Sequence, residues 1–136
     1  MRFIGLNGRE YNKSLDEFRF GIKEKSRSKP QAALGKILEE LFPLNVILEE
    51  MTCFGTRLKL DFFLPELKIA FEYDGEQHDE YNPFFHQGKK AKFAQQQLND
   101  VRKHEWCELN SIMLIRLTNL DDVASDMRKQ INEQRD

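Results

Sequence analysis

The sequence predicts a single α/β (α+β) domain with one central mixed sheet, helices packed on it and an N-terminal β-hairpin. Three observations lead there. The chain has 136 residues, the size of one compact domain with one core. Its 40% hydrophobic and 32% charged residues are a globular balance,. Its apolar positions alternate between strand-like and helix-like spacing along the chain, which calls for helices on a sheet.

The elements follow in order. Phe3–Leu6 and Glu10-Tyr11 flank Asn7-Gly8, a hairpin signal,. Residues 12–28 are polar and irregular. Ser28-Lys29-Pro30-Gln31 opens a helix, with Ser28 as cap and Pro30 in the first turn,. Ala33, Leu34, Ile37, Leu38 and Leu41 form its apolar stripe, and Pro43 ends it,. Val46–Met51, Arg57–Leu64 and Lys68–Asp74 read as strands, the last two joined through Pro65-Glu66-Leu67. A polar loop with aromatics runs over 75–88. Residues 89–109 form a long helix with Ala91, Ala94, Leu98 and Val101 on one face. Ile112–Leu117 is a short strand, and residues 121–134 form a last helix carrying Val123, Met127 and Ile131. Two segments are expected within the one domain: a hairpin and basic arm over 1–27, and a core over 28–136.

Charge is unevenly spread. Residues 1–29 carry eight basic and four acidic side chains, hence +4, and the remainder sums to −6 for a net −2. A basic arm beside an acidic centre suits a protein that handles phosphate and metal; a solvated surface has the same look. The two cysteines, Cys53 and Cys107, lie in no CxxC and read as buried thiols. Together with His78, His86 and His104 they match no common zinc spacing,. No apolar run reaches the roughly 18 residues of a membrane span, and no h-region opens the chain. The expectation is an intracellular, cytoplasmic protein with no membrane partner. Walker loops, dinucleotide fingerprints and nucleophile elbows are absent,.

The hairpin around Pro65 is the most informative stretch. Symmetric pairing about its turn places Leu64 with Ile69, Phe62 with Phe71, and Asp61 with Glu72. Strict alternation then puts Leu58, Leu60, Phe62, Leu64, Ile69, Phe71 and Tyr73 on one face. Lys59, Asp61, Glu72 and Asp74 share the other, with Lys59 across from Asp74. Two carboxylates opposite one another repel unless something compensates. A divalent cation is one such group, because Mg²⁺ takes a few carboxylates plus water and leaves positions for phosphate oxygens. An ordinary solvated strand face is the plain alternative.

Leu60-Asp61-Phe62 followed by Ile69-Ala70-Phe71-Glu72-Tyr73-Asp74-Gly75-Glu76-Gln77-His78 resembles the PD-(D/E)XK nuclease superfamily. It is most similar to the very-short-patch-repair-like branch, where a strand ending in E-x-D-G-x-x-H is common. Phe93, Gln97, Asp100 and Lys103, then Cys107–Leu117, continue the likeness, and Ser28–Gln31 occupies the branch's first-helix entry. The stretch Asn-Pro-Phe-Phe-His is also similar to small endonuclease-like phage proteins. The resemblance covers about residues 26–118.

The resemblance implies a restriction-endonuclease-like core and a metal-dependent DNA endonuclease, with Mg²⁺ (or Mn²⁺) on Asp61 and Glu72. The superfamily's usual lysine two residues after the Glu is Asp74 here. His78 is the expected substitute for proton handling, with Lys59 as the alternative. Gln31 stands where the first helix usually offers a Glu, with Glu39 or Glu40 as alternatives. By resemblance Asp100 points at His78 and Lys103 at a phosphate. Lys59, Arg27 and Lys29 are further DNA-contact candidates. Phe84 and Phe85, with Tyr81, are candidates to stack on bases or wedge into a duplex, unless they pack under the loop. A homodimer would supply two active sites. A non-cutting DNA-binding module and a phage adaptor or inhibitor of a host protein are the other readings, motivated by Asp74 and Gln31.

Overall fold

In the computed structural model, residues 1–21, 28–75 and 90–135 are described. They form a mixed α+β fold. A two-stranded antiparallel hairpin, β1 (Arg2–Ile4) and β2 (Glu10–Asn12), precedes a 3₁₀ turn at Asp16–Phe18. Then come α1 (Lys29–Leu41), β3 (Leu48–Thr52), β4 (Lys59–Leu64), β5 (Ile69–Tyr73), α2 (Lys90–Leu109), β6 (Met113–Leu117) and α3 (Val123–Arg135). The four-stranded sheet runs β3-β4-β5-β6. Its first three strands are antiparallel neighbours, and β6 joins β5 in parallel across the α2 crossover,.

Local chemistry accounts for the boundaries. Ser28 Oγ accepts the Gln31 amide at 3.2 Å, and Pro30 sits where a helix needs no donor,. α2 stops without a glycine. Ile112 N–H donates to Cys107 O at 2.8 Å and Ser111 N–H to Glu108 O at 3.1 Å, while Ser111 takes φ 56°. Those two bonds satisfy the last carbonyls of the helix, with serine in the left-handed place glycine usually fills. In the first hairpin the loop is Gly5–Arg9, closed by Gly5 N–H to Arg9 O at 2.9 Å.

The sheet separates two apolar layers. On one side, Leu34 and Leu38 of α1 and Val123 near the start of α3 pack with Phe62, Leu64, Phe71, Ile115 and Leu117. On the other, Phe3 of the hairpin and Trp106 and Cys107 of α2 pack with Leu48, Met51, Cys53, Leu60, Phe63, Ala70 and Leu114. Phe3 stacks on Trp106 with ring centroids 5.4 Å apart. Asn110 clips the hairpin to the end of α2: its Oδ1 accepts Ile4 N–H at 2.7 Å and its Nδ2 donates to Ile4 O at 2.9 Å.

Two expectations are corrected. Strict alternation puts Leu58 and Leu60 with Phe62, but both pack on the opposite layer, with Phe63. The pleat changes phase around Asp61. Across from it, between the pairs Glu49–Phe62 and Met51–Leu60, Glu50 has φ 50°. A residue in that region interrupts alternation as a bulge does, and Leu48 and Met51, three apart, consequently share one layer,. The apolar stripe assigned to α2 is also outward: Leu98 is 51% and Val101 53% exposed, and Ala91 and Ala94 are exposed. The side toward the sheet instead holds Lys103, Trp106 and Cys107, because it must serve a polar centre as well as a core.

The outer strand β6 is covered by side chains. Gln130 Oε1 accepts Arg116 N–H at 3.0 Å, Gln130 Nε2 donates to Arg116 O at 2.7 Å, and Gln134 Nε2 donates to Leu114 O at 3.0 Å. Among the described residues no helix is long and apolar enough to cross a membrane.

Candidate active site

The β4–β5 ladder runs Leu64–Ile69, Phe63–Ala70, Phe62–Phe71, as symmetry about the Pro65 turn predicts. One step further the strands stop exchanging backbone bonds and side chains take over. Asp61 N–H donates to Glu72 Oε2 at 2.6 Å, and Tyr73 N–H donates to Asp61 Oδ2 at 2.9 Å. Each carboxylate thus accepts an amide from the opposite strand. The ladder ends before Lys59 would meet Asp74; Lys59 is exposed and lies across from Thr52 of β3.

Lys103 completes the centre. Its Nζ lies 2.5 Å from Glu72 Oε1, with side chains 18% and 3% exposed. Burial, and after it the Asp61 charge, push the Glu72 carboxyl up to about 7, with Lys103 and the Asp61 amide working against the rise. Asp61 is raised as well, chiefly by burial, with the Tyr73 amide working against the rise. Burial disfavours the Lys103 ammonium, yet Glu72 and Asp61 outweigh it and raise that group too. The upward direction stands for all three: carboxylates out of water hold protons harder, and an ammonium among carboxylates keeps its charge. The Lys103 ammonium therefore keeps its charge, and it points at Glu72.

Beside this centre a second polar group forms. Arg116, paired in register with Glu72 across β5–β6, donates from Nη1 to both Asp74 carboxylate oxygens at 3.4 Å. Its Nη2 donates to Asp100 O at 2.9 Å, and Nη1 lies 3.7 Å from the Asp100 carboxylate. Asp74 and Asp100 are thus gathered around Arg116. Cys53 and Cys107 are buried free thiols that sense Lys103 and Glu72 electrostatically. Burial raises both, Cys107 to about 12, so both stay protonated,.

Of the other expected residues, Gln31 is in the first turn of α1, the helix packed on the opposite sheet layer, and its Nε2 is buried with no hydrogen-bond partner among the described residues. Lys29 is exposed at the start of α1. His104 is exposed, 3.5 Å from Glu108. His78, Tyr81, Phe84, Phe85, His86 and Arg27 lie outside the described residues. The Lys103–Glu72 pair and the Arg116 cluster were missed from sequence. The signal for the second was present: extending β6 in parallel beside β5 sets Arg116 next to Glu72.

A metal site on these residues can be tested against the donors present. Among the described residues no group of three or more His, Cys, Asp or Glu side chains is placed to hold a metal ion. That does not fit zinc, which wants three or four protein ligands. It fits magnesium better, which takes one or two carboxylates and fills its shell with water and phosphate. Asp61 Oδ1 takes part in none of the hydrogen bonds above.

No family model matches the chain, and no solved structure matches it. It is similar to viral proteins of uncharacterised role. Protein 033L of Invertebrate iridescent virus 3 is 38% identical over 63 residues, 46% of this chain and 32% of that protein. Protein 307L of Invertebrate iridescent virus 6 is 40% identical over 60 residues, 44% of this chain and 30% of that protein. Protein 094L of Frog virus 3 is 36% identical over 76 residues, 55% of this chain and 49% of that protein. The chain spans 30% to 49% of the length of these relatives.

Proposed function

We propose that the chain is a metal-dependent DNA endonuclease of the PD-(D/E)XK type, with a restriction-endonuclease-like core. It hydrolyses phosphodiester bonds, with Mg²⁺ or Mn²⁺ held by Asp61 and Glu72. The observation that carries the reading is the meeting of these two carboxylates and the Lys103 ammonium at the point where β4 and β5 part.

Charge supports it. With both carboxylates ionised, they and one ammonium leave one negative charge in a mostly buried place. A divalent cation turns that to one positive, and the single charge of a phosphodiester then balances it. Bound there, the metal would supply a Lewis acid and lower the pKa of water. The chain's own residues do the rest. The Asp61 and Tyr73 amides fix the orientation of the two carboxylates. Lys103 would stand in for the superfamily lysine whose position Asp74 occupies: the N–H donors it does not give to Glu72 would orient a water and stabilise charge on the phosphate oxygens,. Arg116 holds Asp74 and Asp100 beside the centre.

One observation favours a non-cutting DNA-binding module instead. Both Glu72 oxygens are already engaged, one by Lys103 and one by the Asp61 amide. Cleavage assays separate the two. Supercoiled, branched and mismatched DNA are incubated with the protein in Mg²⁺, Mn²⁺ or EDTA, beside Asp61→Ala and Lys103→Met. The expected result is cleavage that needs the metal and falls at least about a hundredfold in either variant. Binding without cleavage under every condition supports the module.

A further inference from the structure

The mouth of a cleft of about 770 Å³ opens between the start of β4 and the flank of α2, lined by Tyr11, Thr56, Arg57, Gln95, Asn99 and Arg102 among others. None of its described lining residues is acidic. Arg57 is exposed and Arg102 half-buried, and neither guanidinium has an ion pair or hydrogen bond among the described residues. In a chain with 23 acidic residues, two unpaired guanidiniums facing one cleft call for an anion from outside. The cleft is too open and polar to enclose a small apolar ligand.

Its position joins it to the centre described above. Leu58, in the cleft wall, is three residues from Asp61, about 10 Å of extended chain. Arg102 directly precedes Lys103. A planar guanidinium grips phosphate oxygens through paired N–H donors. The Thr56 hydroxyl and the Gln95 and Asn99 amides are neutral groups of the kind that contact the backbone without reading sequence.

We propose that this cleft is the phosphate-backbone track of the protein: Arg57 and Arg102 hold the backbone of duplex DNA on one side of the scissile bond. The inference rests on the DNA reading above but not on cleavage, and it assigns contact residues that the sequence did not suggest.

The test is binding in EDTA, where nothing is cut. Anisotropy of a fluorescein-labelled 20-base-pair duplex is followed for the full chain, Arg57→Gln, Arg102→Gln, the double variant, and Arg128→Gln on α3, which removes the same charge elsewhere. Arg57→Lys and Arg102→Lys, which keep the charge, guard against loss of fold, and circular dichroism checks each protein. Each glutamine variant is expected to bind about 5–10-fold more weakly near 100 mM salt, with the slope of log K against log salt reduced by about 0.9 per lost contact. The lysine variants are expected to keep the salt slope, and Arg128→Gln to match the unaltered protein.

The proposal is overturned if the folded double variant keeps full affinity and slope. It is also overturned if the unaltered protein fails to bind the duplex. Failure of the nuclease reading looks different. Arginine-dependent binding without cleavage leaves the track standing and removes the enzyme. Cleavage with unaltered binding by the double variant removes the track and leaves the enzyme.

Discussion

At the scale of single residues, Glu72 concentrates the tension in the molecule. It is 3% exposed, it faces Asp61, and Lys103 and the Asp61 amide compensate it. A carboxyl raised from 4.5 to about 7 in the fold keeps a proton that the unfolded chain has already released. In that window the unfolded state binds fewer protons, so stability falls as pH rises from about 4.5 toward about 7. Urea midpoints at about pH 5 and about pH 7.5 in EDTA are expected to show the decline. Glu72→Gln is expected to flatten it, and Mg²⁺ to oppose it at the higher pH by compensating the buried charge. A rise in stability over the same window would show that Glu72 is ionised throughout. Sequence reasoning found the two acids because hairpin symmetry is a local rule, and it held from Leu64–Ile69 to Phe62–Phe71. It named Lys103 but missed its contact with Glu72, because that contact spans 31 residues and depends on how α2 is rotated.

At the scale of elements, the stripe of α3, the Leu34, Ile37 and Leu38 part of the α1 stripe and the Ser28 cap were legible; Ala33 and Leu41 are exposed, and the rotation of α2 was not legible. Ser28, Pro30 and Pro43 are local signals that packing did not overrule. α2 carries alanines and two aliphatics on one side and a polar centre on the other, and the centre faces inward. Periodicity alone assigns the core to the wrong side when a helix must bury charge. α1 carries a sharper constraint. A Cβ on Gly35 would lie 2.5 Å from the Phe20 ring and 3.1 Å from the Phe62 ring. Gly35→Ala gains about 1 kcal/mol of helix propensity. Forcing two rings aside costs about 1–3 kcal/mol. We expect net destabilisation by urea unfolding, relieved when Phe20→Ala is added. A more stable single variant would show that the rings yield freely.

At the scale of the whole molecule, the N-terminal hairpin belongs to the core and is not merely a charged arm. Phe3 is 1% exposed and touches Phe54, Phe63 and Trp106. Asn110 satisfies both backbone groups of Ile4 and also bonds Trp106 O at 2.9 Å. At about 1 kcal/mol for each hydrogen bond, Asn110→Ala is expected to cost about 2–3 kcal/mol. Hydrogen exchange is expected to show faster loss of protection at Ile4 than at Leu64. Equal loss at both would mean that the hairpin and sheet open together. The uneven charge was legible in sequence, but Asn110 reads there only as a helix-ending residue. Its two bonds to Ile4 join positions 106 residues apart, which no local pattern encodes.

The glutamines along β6 have a consequence for how the protein meets its own kind. A sheet's last strand is ordinarily a template, its free amides and carbonyls inviting another chain to lie alongside. Here Gln130 and Gln134 occupy that template with their own amides. A neighbour wishing to extend the sheet at β6 would first have to dislodge α3. The amide pair thus acts as an insulator, keeping a crowded solution of these molecules from polymerising through that border.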